Sequence, residues 1–68
     1  MATFTMSYRN QIAEITIDEK AKRVCGVGVI ADLSGRVIAY TDLQFEAETL
    51  GGAQAEFHRI VDNRASNS

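Results

Sequence analysis

The chain has 68 residues, a net charge of −2, one cysteine, one histidine and no proline. A domain of this size hides only about 60% of the surface its unfolded chain exposes. Neither an internal disulfide nor a Cys/His zinc cluster is available to compensate, which leaves self-association or a stabilising partner, with a homodimer the default expectation. Apolar residues at 46% and charged residues at 24% exclude a disordered chain.

Taken in chain order, Phe4, Met6 and Tyr8 place apolar groups on even positions, and Ala13, Ile15 and Ile17 place them on odd ones. A period of two changes parity only through an extra residue, so one long strand interrupted by a bulge or bend near residues 9–11 is expected. The polar run 18–22 makes a turn. Residues 23–33 read as a second strand, with Cys25, Val27 and Val29 on one face and Val24, Gly26, Gly28 and Ile30 on the other. The glycines imply that something sits close above the backbone or that the strand coils strongly.

Ser34-Gly35 is the turn of a hairpin, and a third strand spans about residues 36–47. Thr49 is a helix N-cap with Glu46 and Glu48 just before it. Beyond it Leu50, Ala53, Phe57, Ile60, Val61 and Arg64 fall on one helical stripe. Residues 65–68 are a polar tail that frays. The expected fold class is α+β, a three-stranded antiparallel sheet with one C-terminal helix packed on one face (β-β-β-α), in a single domain over 1–64.

The basic residues Arg9, Lys20, Lys22, Arg23, Arg36, Arg59 and Arg64 are scattered, whereas nucleic-acid binders gather positive charge on one face. No direct nucleic-acid partner is expected. No apolar run approaches the roughly 18 residues of a membrane span, and the first residues lack the basic and apolar regions of an export signal. With a single thiol, the expected location is the reducing cytoplasm, away from membranes.

The segment Asp42-Leu43-Gln44-Phe45-Glu46-Ala47-Glu48-Thr49-Leu50, followed by Phe57 and by Val61-Asp62-Asn63, resembles the HicB antitoxin family. Members run from a strand ending in Phe-Glu-Gly/Ala-x-Thr into a helix with a Phe eight residues after the Thr and a Val-Asp-Asp near its end. Tyr8-Arg9-Asn10 is similar to the Tyr-Lys-Gly that opens such domains. Residues 12–18 are similar to their acidic-ended first strand, and Gly26-Val27-Gly28-Val29-Ile30 to their Gly-x-Val second strand. The resemblance, over about residues 8–63, implies a degraded ribonuclease-H-like fold that binds and blocks a small ribonuclease toxin of the HicA type. The family usually adds a C-terminal DNA-binding module, which is not expected here, and Arg64 stands where an aromatic residue usually follows Val-Asp-Asp.

No catalytic constellation, cofactor or metal site is expected. A small metal-dependent nuclease would need carboxylates such as Asp32, Asp42 and Glu46, but a solvated acidic face accounts for them in a domain with little room for a pocket. His58 lies about 100° from the core stripe and reads as an exposed bystander. Cys25 reads as a small buried hydrophobe, and Gly26-Val27-Gly28 lacks the residues of a phosphate loop.

One helix covers one sheet face. The other is expected to carry Val24, Ile30, Ile38 and Tyr40 and to meet a protein partner, with the sheet edges as a second route. Acidic groups there suit a basic, nucleic-acid-handling target. The expected contact residues are Asp32, Tyr40, Asp42, Glu46 and Glu48. The expected function is a non-enzymatic inhibitor that masks a partner such as a HicA-type ribonuclease toxin. The alternative is a phage-encoded, anti-CRISPR-like inhibitor of a host defence complex, which small size and acidity suit equally.

Overall fold

The computed structural model describes residues 2–66. Four strands and one helix follow in order: β1 (Ala2–Tyr8), β2 (Gln11–Asp18), β3 (Arg23–Ala31), β4 (Val37–Ala47) and α1 (Leu50–Ser66). The strands form one antiparallel meander in the order β1-β2-β3-β4. The α+β class with a C-terminal helix is as expected; the sheet has four strands instead of three. The difference lies at Arg9 and Asn10, whose φ angles of 49° and 67° make a tight turn between two strands where a bulge or bend within one long strand was expected. Tyr8 pairs with Gln11, and Met6 with Ala13. A two-residue hairpin always sets each residue against a partner of opposite sequence parity, so the change of apolar phase between β1 and β2 follows from that turn.

The same reasoning corrects the phase of β3. Asp18 Oδ1 accepts from the backbone N–H groups of Lys20 and Ala21 at 3.1 and 3.2 Å, organising a four-residue turn that sets Ile15 against Gly26 and Ile17 against Val24. Val24, Gly26 and Gly28 therefore share the helix-covered face, and Cys25, Val27 and Val29 turn away from it. Val24 is buried in the core, contrary to its expected place on the open face, and Cys25 is exposed instead of buried. The glycines are what the core requires. A Cβ on Gly26 would stand 2.1 Å from the Phe45 ring, and one on Gly28 2.1 Å from Thr41 Oγ1 and 2.8 Å from Leu43 Cβ. Large side chains of β4 lie flat on β3 at these positions, beneath the helix.

Thr49 caps α1 as expected: its Oγ1 accepts from Gly52 N–H at 3.0 Å and its carbonyl from Ala53 N–H at 3.0 Å. Ala53, Phe57 and Val61, at i, i+4 and i+8, are buried. They close a core with Ala13, Ile15, Val24, Leu43 and Phe45. Phe57 and Phe45 stack with ring centroids 5.6 Å apart. The helix packs mainly on β4, then on β3 and β2. It runs to Ser66, into the stretch expected as a polar tail; the rest of that stretch, residues 67–68, lies outside the described residues.

Near its end α1 is joined to the first hairpin. Tyr8 Oη donates to Asp62 Oδ1 at 2.9 Å, and Arg9 Nη1 donates to the same oxygen at 2.8 Å. His58 stacks on the Tyr8 ring at 3.9 Å, so it is a packing residue and not the exposed bystander expected. The Arg9 guanidinium, then the Tyr8 hydroxyl, hold the Asp62 carboxyl below its ordinary pKa. Asp32 and Glu56 are held low by hydrogen bonds from Ser34 and Arg59 respectively. A carboxylate depressed in the folded state contributes fully above its unfolded pKa, and the contribution fades as pH falls through the folded one. Stability should therefore drop below about pH 4, and Asp62→Asn should flatten that acid limb in urea unfolding measured across a pH series. An unchanged limb would mean that the Asp62 contacts are not retained in solution.

Candidate protein-binding surface

With the helix on one side only, the molecule is a slab with extents of 36 × 28 × 16 Å. The strand registers set out its open face in rows. Ser7, Ile12, Val29 and Tyr40 form one; Thr5, Glu14, Val27 and Gln44 the next; then Thr3, Thr16, Cys25 and Glu46. The face is apolar at the Tyr40 end and polar to acidic at the Glu46 end. Val29 is buried yet stands outside the helix-facing core. Glu14, Thr16, Cys25, Val27, Gln44 and Glu46 border a shallow concavity of about 450 Å³.

Beyond the Ile12–Val29 pair the β3–β4 hairpin continues without β2 beside it. Its loop is built by Asp32, whose Oδ1 accepts from Ser34 N–H at 2.9 Å, Ser34 Oγ–H at 2.6 Å and Arg36 N–H at 3.0 Å. Gly35, at φ 88°, supplies the left-handed residue that a three-residue hairpin loop needs. Among the described residues the exposed large hydrophobics are Phe4, Ile30, Leu33, Ile38, Tyr40 and Leu50, and four of these lie on this hairpin. Ile38 is 62% and Tyr40 63% exposed, and Leu33 stands fully in solvent at the tip. Apolar groups are ordinarily scattered over a surface, so their concentration on one projecting element makes it the candidate contact site.

The five expected contact residues are not gathered together. Tyr40 stands where the hairpin meets the open face. Glu46 lies on that face, with its Oε1 3.2 Å from Arg23 Nη1 and its Oε2 4.0 Å from the Cys25 thiol. Asp32 is committed to the loop. Asp42 sits in a bulge where Thr41, Asp42 and Leu43 oppose Gly28 alone, and it accepts from Arg64 Nη1 at 3.2 Å. Glu48 precedes the helix, beside Lys22 and Arg23. Among the described residues no three His, Cys, Asp or Glu side chains stand close enough to hold a metal ion. None of the described helices is long and apolar enough to cross a membrane.

Sequence reasoning missed Glu14 and Ile12 as members of the open face, and Leu33 as the hairpin tip. The parity rule of the first two turns places the first two; an apolar residue inside a polar hairpin loop was the available sign for the third. No protein-family model, no curated protein and no solved structure gives a significant match to the chain.

Proposed function

We propose that this chain is a non-catalytic inhibitory protein that covers a nucleic-acid-handling partner, as a HicB-like antitoxin covers a HicA-type ribonuclease. The observation that carries the reading is the exposure of Ile30, Leu33, Ile38 and Tyr40 on the β3–β4 hairpin, whose end runs on past β2. An apolar anchor of this kind supplies binding energy, and Tyr is among the residues that most often dominate it. Glu14 and Glu46 on the adjoining face would meet the cationic surface that an RNA-handling enzyme offers, steering encounter and excluding unlike partners. The resemblance of residues 42–50, Phe57 and Val61-Asp62-Asn63 to the HicB pattern supports the same reading.

Purification of the tagged chain from its native host, read by mass spectrometry, should recover one basic nucleic-acid-handling protein whose RNA cleavage the chain suppresses. Tyr40→Ala should weaken that complex by about 30-fold, equivalent to about 2 kcal/mol, while leaving the circular dichroism spectrum unchanged. Glu46→Lys should act chiefly on the association rate. Recovery of no such partner, or an unaltered affinity for Tyr40→Ala, would overturn the reading.

A further inference from the structure

The two outer strands of the sheet differ sharply. β4 is broken by the Thr41–Leu43 bulge and by a second irregularity near Ile38, where Ile30 pairs with Ala39 but Ala31 with Val37. Bulges and charges of this kind stop an edge from acting as a template. β1 has no such protection. Its seven residues, Ala-Thr-Phe-Thr-Met-Ser-Tyr, contain no charge, no proline and no bulge, and all pair in unbroken register with β2. Antiparallel pairs alternate, and the two-residue turn makes Tyr8–Gln11 a hydrogen-bonded pair. Met6 and Phe4 then bond inward to β2, and the N–H and C=O groups of Thr3, Thr5 and Ser7 point out from the edge.

We propose that this edge pairs with β1 of a second copy, joining two sheets into one continuous eight-stranded sheet about a two-fold axis at Thr5. This goes beyond the masking role, which uses the β3–β4 hairpin and the open face and not the β1 edge. The occupant follows from the strand's self-complementarity. With Thr5 against its own counterpart, Thr3 meets Ser7, and every outward backbone group finds a partner over the full length of β1. On one face the pairs are hydroxyl against hydroxyl. On the other, Phe4, 37% exposed, meets Met6 of the partner subunit; such cross-strand pairs stabilise a ladder. Because β1 itself carries no charge, no like charges stand directly opposite one another across the pairing. A β1–β4 contact would propagate without end, and the interrupted β4 edge opposes it, so the assembly closes as an isologous dimer.

Light scattering on the eluting intact chain at about 100 μM, which saturates any micromolar association, should give twice the 7.5 kDa of one chain. Thr5→Lys sets two like charges face to face and should yield a folded monomer, while Thr5→Val should remain dimeric. In a Cys25→Ser background, Thr5→Cys should oxidise readily to a covalent dimer, because paired Cα atoms about 5.5 Å apart suit a disulfide. A cysteine placed at Leu33 should do so at least tenfold more slowly. A monomeric parent, a dimer indifferent to Thr5→Lys, assemblies that grow beyond two chains, or equal oxidation rates at the two cysteines would each overturn the proposal.

Discussion

Gly26→Ala should destabilise the fold by about 3 kcal/mol, most of what a domain this small can hold. The added methyl would stand 2.1, 2.3 and 2.7 Å from three atoms of the Phe45 ring. Alanine in a strand gains about 0.5–1 kcal/mol over glycine through chain entropy, so the steric cost decides the sign. Phe45 cannot swing clear, because it is stacked on Phe57 and only 8% exposed. Phe45→Leu in the Gly26→Ala background removes the far ring atoms and should recover at least about 1 kcal/mol, a coupling that neighbouring residues show and distant ones do not. Chemical denaturation followed by circular dichroism measures both. A Gly26→Ala protein as stable as its parent would show that Phe45 does not lie on β3 in solution.

Phe57→Ala should leave the chain largely unfolded at room temperature. Phe57 is fully buried, touches the rings of Phe45, Tyr8 and His58, and is the largest side chain α1 commits to the sheet. Truncating a buried phenylalanine costs about 3–5 kcal/mol, which equals the roughly 3–5 kcal/mol a core of this size supplies. Phe57→Leu keeps most of the volume and should stay folded at a cost of about 1 kcal/mol. A cooperative Phe57→Ala transition near the parental midpoint would place the stabilising contacts elsewhere.

The parts of this fold that could be read from sequence are those set by local chemistry. Thr49 followed by an apolar stripe located the helix, and Ser34-Gly35 located one hairpin. The errors arose where side-chain hydrophobicity was weighed against backbone geometry. Arg9 and Asn10 are not glycines, and a turn with two positive φ angles looks like a bulge to a pattern that counts only apolar residues. In β3 the more hydrophobic set, Cys25, Val27 and Val29, points to the open face, while the glycine-bearing set faces the core because Phe45, Thr41 and Leu43 of β4 need the space. Burial there is shared between strands, so no single segment reveals it. Tyr40 was found as an exposed aromatic. Asp32 is legible in the sequence only as a charge, yet its Oδ1 is committed to three turn hydrogen bonds.

The clasp between Tyr8 and Asp62 joins residues 54 apart, in a sheet whose every strand pairing links sequence neighbours. Short loops close at lower entropic cost than long ones, so the meander zips up hairpin by hairpin, and the clasp fastens only when nearly the whole chain is in place. Contacts made that late have little influence on how fast a protein assembles and much on how long it lasts. One carboxylate near the end of α1 thus lengthens the lifetime of a structure it does little to build.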